Sequence, residues 1–123
     1  MTTKLNVLQV IPTLGYGGAE TGCYDIAHYL PENECRSFIA TSGGELLKYI
    51  KKDKVKILKL PVHSKNPVLI IFNALVLVFY IIIYRINIIH ARSRAPAWSC
   101  YFACLLTNRV FVTTFHGTYN FKS

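Results

Sequence analysis

The chain has 123 residues, one domain's worth, with 52% apolar and 16% charged residues, seven glycines and five prolines. That balance excludes intrinsic disorder and collagen- or linker-like sequence, and the length is enough for a core without disulfide staples. The net charge of +8 is uneven: residues 1–53 hold all six acids and five Lys/Arg, whereas residues 54–123 hold nine Lys/Arg and no acid.

The first expected strand is LNVLQVI, residues 5–11, ending at Pro12. A turn-rich loop, PTLGYGG, leads to a helix over 19–30 that Pro31 ends, with Glu20 and Asp25 in its early half. CRSFIAT, 35–41, reads as the second strand, closed by Ser42-Gly43-Gly44. A short helix is expected over 45–52, then a third strand, VKILKL, over 55–60. Residues 68–84 are an apolar run whose one polar interruption is Asn73. INIIH, 86–90, is a fourth strand, residues 95–106 a helix with Pro96 in its first turn, and VFVTTF, 110–115, a fifth strand before His116-Gly117.

Strand and helix alternate throughout. That pattern predicts an α/β fold, a Rossmann-like doubly wound parallel sheet of about five strands with helices on both faces. The chain stops soon after its fifth strand, where such a domain continues, so it reads as incomplete.

Mean hydropathy is +0.32, which calls for a membrane check. The run 68–84 approaches the length of a transmembrane helix, about 20 residues. Spanning would place the third and fourth strands on opposite sides of a bilayer, so a crossover helix, buried or touching a membrane, is the better reading. Apolar residues occupy almost every face of this helix, and the side not covered by the sheet must meet another domain or a bilayer surface. No secretory signal opens the chain: Asn6 and Gln9 break the apolar stretch. The four cysteines, Cys23, Cys35, Cys100 and Cys104, form no C-x-x-C pair, and buried free thiols in a reducing cytosol are expected.

In open α/β sheets, ligands bind beyond the carboxyl ends of the strands, where strand order reverses. For the order 3-2-1-4-5 that point lies between the first and fourth strands. The loops TLGYGGAE, HARSRAP and HGTYN would therefore meet on one rim. Gly15, Gly17 and Gly18 let backbone N–H groups approach an anion. Glu20 stands where a dinucleotide fingerprint needs glycine, and no Gly-Lys-Ser/Thr makes a P-loop. Arg92 and Arg94 could clamp a phosphate or carboxylate. His116, with Gly117 after it, could bond a ligand hydroxyl or move a proton. His28 is assigned to a helix surface and His63 to a loop. No nucleophile elbow, paired carboxylates, metal-ligand cluster or nucleic-acid-binding pattern occurs.

The segments IPTLGYGGAE, HARSRAPAW and VFVTTFHGTYN, in this order and spacing, resemble the amino-terminal domain of family 4 glycosyltransferases of the GT-B fold. The resemblance spans essentially the whole chain. It implies an acceptor-side half of an enzyme that moves a sugar from a nucleotide-sugar to a cell-surface glycan or lipid-linked acceptor, as in lipopolysaccharide biosynthesis, usually with retention and without metal or other cofactor. It places Gly17 and Gly18 at the donor diphosphate, His116 beside the transferred sugar, and His90, Arg92 and Arg94 in the acceptor-facing loop. The donor-binding carboxyl-terminal half is absent here, so the chain alone is expected to be inactive, and a separate carboxyl-terminal half is an expected partner. The expected location is cytoplasmic, peripheral on the inner face of the membrane, with an anionic lipid surface as partner. A non-catalytic, basic, membrane-associated or partner-binding module is the alternative.

Overall fold

The computed structural model describes residues 5–15, 18–92 and 94–113. Five strands, β1 (Leu5–Val10), β2 (Cys35–Thr41), β3 (Val55–Lys59), β4 (Ile88–Ala91) and β5 (Val110–Thr113), form one sheet in the order β3-β2-β1-β4-β5. Every neighbouring pair is parallel. The expected topology is therefore present, and the strand order reverses between β1 and β4.

Three α-helices cover the two faces: α1 (Gly18–Tyr29) on one side, α2 (Pro67–Tyr84) and α3 (Arg94–Thr107) on the other. Side chains alternate across a strand, so β1 sends Leu8 and Val10 toward α2 and α3 while Gln9 points toward α1. Leu77 and Ile81 of α2 are fully buried in the first of these cores. Each contributes roughly 1.5–3 kcal/mol by leaving water. The smaller core under α1 is built from Ile11, Leu14, Cys23, Ala27, Ile39 and Val55, with Leu46 and Ile50 closing it.

Polar residues in the apolar segments have specific partners. Asn6 lies on the α2 side of β1, and its Nδ2 donates to the Tyr84 and Arg85 carbonyls at 3.0 and 2.9 Å, satisfying the end of α2. Arg85 takes a left-handed conformation there, φ 54°, which stops the helix. Asn73 donates from Nδ2 to the Pro61 carbonyl at 2.9 Å, fastening α2 to the loop that precedes it. At the start of α2, Asn66 caps the helix by accepting from the Val68 N–H at 2.9 Å.

The segment expected as a helix over 45–52 is shorter: a 3-10 turn, Glu45–Tyr49, after which Ile50 is extended. Leu46 and Ile50 are both anchored in the core under α1, and so short a piece cannot repay the nucleation of an α-helix. Pro31 likewise sits inside a 3-10 turn, Leu30–Asn33, that follows α1. His28 is more than a surface residue. Its Nδ1 lies 2.9 Å from the Tyr24 carbonyl and its Nε2 accepts from the Lys51 N–H at 3.2 Å, so it pins α1 to the chain before β3. His63 is exposed in a turn, as expected.

Candidate functional site

The switch point between β1 and β4 holds a buried polar cluster. Gln9 and His90 are register partners across the two strands. Arg92 follows on the same side of the chain as His90, and its N–H extends the ladder by donating to the Val10 carbonyl at 2.9 Å. The Arg92 side chain is not a solvated loop cation: the residue is only 5% exposed. Its Nε donates to Gln9 Oε1 at 2.7 Å, and Gln9 Nε2 donates in turn to the Cys23 carbonyl in α1 at 3.2 Å. A carbon added at Gly22 would stand 3.9 Å from Arg92 Nη1, so the guanidinium lies against the first turns of α1. Among the described residues no carboxylate is within 4.0 Å of it.

A guanidinium buried without a carboxylate partner is costly unless its donors are bonded. Gln9 provides one such bond and fixes the plane of the group. The charge sits below the amino-terminal end of α1, where the helix dipole is also positive. Both effects favour negative charge at this rim, where the Glu20 carboxylate in the first turn of α1 already supplies one, 4.0 Å from where a carbon added at Gly15 would stand.

The loop between β1 and α1 is held from the other side. Leu14 donates to the Gly43 carbonyl at 2.7 Å and accepts from the Leu46 N–H at 2.9 Å. The Pro12 carbonyl accepts from the Ser42 N–H at 3.1 Å, from the Ser42 hydroxyl and from the Thr41 hydroxyl at 3.3 Å. Gly44 has φ 146°, and a Cβ there would overlap the Leu14 backbone. The glycine-rich turn thus starts from a base clamped to the β2 loop.

Gly18 opens α1 at this rim, and the backbone of Arg94 opens α3, which follows β4. His90 is half-buried on β4, between its register partners Gln9 and Val112. Gly17, His116 and the Arg94 side chain lie outside the described residues. The structure therefore brings His90 and Arg92 together beside the helix that Gly18 begins, and adds Gln9, which the sequence marked only as a polar break in an apolar strand. A separate open cavity of about 700 Å³ lies among Arg36, Ser37, Lys54, Lys56 and Tyr84, on the amino-terminal sides of β2 and β3, away from this rim.

Among the described residues no group of three His, Cys, Asp or Glu side chains is placed to hold a metal ion. All four cysteines are free. Burial pushes the Cys23 thiol up to about 12, opposed by the nearby Arg92 charge and reinforced by Glu20. Burial also pushes Cys104 up to about 11 and Cys100 well above its ordinary value. These thiols stay protonated in the fold while an unfolded chain releases their protons from about pH 9 upward. The native state then binds more protons, so their contribution is complete below that pH. It declines as pH rises toward the folded values. Urea midpoints should fall between about pH 9 and pH 11. Cys23→Ala should make that fall shallower, whatever its stability at neutral pH; an unchanged slope would contradict the assignment.

A five-stranded parallel sheet whose order reverses between β1 and β4 defines a Rossmann-like α/β domain. The model of glycosyltransferase family 4 matches residues 16–123, and the chain belongs to that family. It is similar to the crystal structure of a glycosyltransferase from Rickettsia africae ESF-5, at 42% sequence identity and a TM-score of 0.85. The match covers 97% of this chain and 31% of that one, so the chain spans about a third of its solved relative. No curated protein matches it.

Proposed function

We propose that this chain forms the acceptor-side half of a glycosyltransferase that moves a sugar from a nucleotide-sugar to a cell-surface glycan or lipid-linked acceptor. The single observation that carries the reading is the rim between β1 and β4, where buried Arg92, held by Gln9, underlies the start of α1 in a chain of family 4. In transfer, the bond from the sugar's anomeric carbon to the diphosphate oxygen breaks, a bond to the acceptor oxygen forms, and the acceptor hydroxyl's proton passes to the departing diphosphate. The departing diphosphate gains charge, and the backbone N–H groups of Gly17 and Gly18 with the α1 dipole suit that charge. His116 is assigned to the transferred sugar, where an imidazole can hydrogen-bond a hydroxyl or accept its proton. His90, Arg92 and Arg94 are assigned to the acceptor side, with Arg92 acting from below as a fixed charge. The donor nucleotide is assigned to a second domain outside these 123 residues, and the reaction to retention without metal.

The test supplies the chain with the carboxyl-terminal two thirds of the Rickettsia enzyme and follows labelled sugar from nucleotide-sugars into bacterial membrane extracts. The wild-type pair should transfer sugar, and His116→Ala should lower turnover by about a hundredfold or more. Transfer that survives His116→Ala intact would remove His116 from the site, and no transfer from any nucleotide-sugar would count against the reading itself.

A further inference from the structure

The amino-terminal end of the sheet carries a notch. Cys35 and Arg36, at the start of β2, have register partners on β1, Leu5 and Asn6, but none on β3, whose pairing begins with Ser37 and Val55. The open cavity of about 700 Å³ occupies that step. Because the sheet stops there, side chains from both of its faces reach the cavity: Arg36 and Lys56 from the α2 face, Ser37 from the α1 face.

Four cations line this space, Arg36, Lys52, Lys54 and Lys56. Among the described residues no carboxylate lies within 4.0 Å of any of them, although Glu32 and Asp53 line the same cavity. Lysines on an edge strand such as β3 discourage pairing with another sheet. That purpose does not extend to Arg36, which stands on β2 with a strand on either side. Lys56 is held over the Tyr84 ring, its Nζ 5.5 Å from the centroid, and Phe38 packs tilted against the same ring at 5.3 Å. The aromatic wall thus fixes one ammonium at the edge of the cavity. Ser37 is 3% exposed, and its hydroxyl has no hydrogen-bond partner in the fold. A buried hydroxyl is costly until something bonds it.

We infer that this cavity is an anion site that binds a phosphate-bearing small molecule. A phosphate matches converging guanidinium and ammonium groups, and Arg36 can bond two of its oxygens at once. The volume is that of a small-molecule site and exceeds what a bare phosphate needs. Glu32 and Asp53 can accept from the hydroxyls of such a ligand, and they oppose a long run of phosphates. The cavity lies at the opposite end of the strands from the rim between β1 and β4. The inference is therefore independent of glycosyl transfer, and its failure would leave that reading intact.

Cys35 lines the cavity and is half-buried, whereas Cys23, Cys100 and Cys104 are buried. Its alkylation by iodoacetamide, an uncharged reagent, reports whether the cavity is filled. In the whole chain, glucose 6-phosphate should slow that reaction severalfold and shift the amide resonances of Ser37, Lys54 and Lys56, leaving those of Gly18 and Arg92 in place. Inorganic phosphate should act in the same way but more weakly. Glucose, and sodium chloride at equal ionic strength, should do neither. Arg36→Gln/Lys56→Gln should weaken binding by about tenfold or more, with circular dichroism unchanged, since both side chains are exposed. No response to either phosphate would overturn the proposal. So would equal protection by sodium chloride, binding unaltered in the double variant, or protection by phosphatidylglycerol vesicles but by no soluble phosphate. The chain complemented with the carboxyl-terminal two thirds of the Rickettsia enzyme should respond as the chain alone does. Loss of the response there would mean that a further segment of protein fills the cavity, and would equally overturn it.

Discussion

Gly44→Ala should lower the stability of the domain sharply. The residue combines φ 146° and ψ 166°, a conformation open almost solely to glycine, with a Cβ position already occupied by the Leu14 backbone. Strain and overlap together cost about 3 kcal/mol or more, against a total stability of roughly 5–15 kcal/mol for a domain. The damage is not confined to the turn. Leu14 gives up its bonds to Gly43 and Leu46 if it moves aside, and Leu14 and Leu46 both belong to the core under α1. Urea denaturation followed by circular dichroism checks this, and a midpoint equal to wild type would refute the close approach. Gly43→Ala is the useful companion. It shares the positive φ, 144°, but an added carbon would find only the Lys59 ammonium, at 4.0 Å, so it should show the strain without the overlap.

Removing one side of the Gln9–Arg92 pair should cost about 2–4 kcal/mol, because each change strands a buried group. Gln9→Leu leaves Arg92 Nε and the Cys23 carbonyl without their partner; Arg92→Met leaves Gln9 Oε1 without its donor. The double variant Gln9→Leu/Arg92→Met removes both groups together and should be markedly more stable than the sum of the single effects implies. A double-mutant cycle from urea midpoints measures that coupling. Additive effects would mean that the two side chains do not depend on each other. If the pair also serves the site, the double variant should recover stability but not sugar transfer in the complemented enzyme.

The architecture was readable in the residues because strand and helix signals alternate with proline and glycine at their borders. β2 is Cys35–Thr41 as expected, and α2 begins one residue before the apolar run. Strand order followed from the doubly wound pattern, which puts the switch point between β1 and β4. What escaped was polar chemistry that depends on contacts distant in sequence. Gln9 lies 83 positions from Arg92, and nothing local distinguishes a glutamine that holds a buried guanidinium from one that ends an apolar stretch. Asn6, likewise, caps a helix that ends 78 positions later. Gly44 looked like ordinary turn punctuation, since the Leu14 backbone that makes it obligatory comes from a different loop. The outward stripe of α2 could not be drawn from its sequence, where nearly every position is apolar; only the burial of Asn73, Ala74, Leu77 and Ile81 reveals which side faces in.

The proposed site requires three turns to meet at one end of the sheet, and a spin label tests that directly. A label on His116→Cys, with the half-buried Cys35 changed to serine, broadens the amide resonances near it. Selective loss of signal at Gly18, His90 and Arg92 is the predicted outcome. Broadening instead at Asn33, Asp53 and Asn87, at the opposite ends of the strands, would contradict the account.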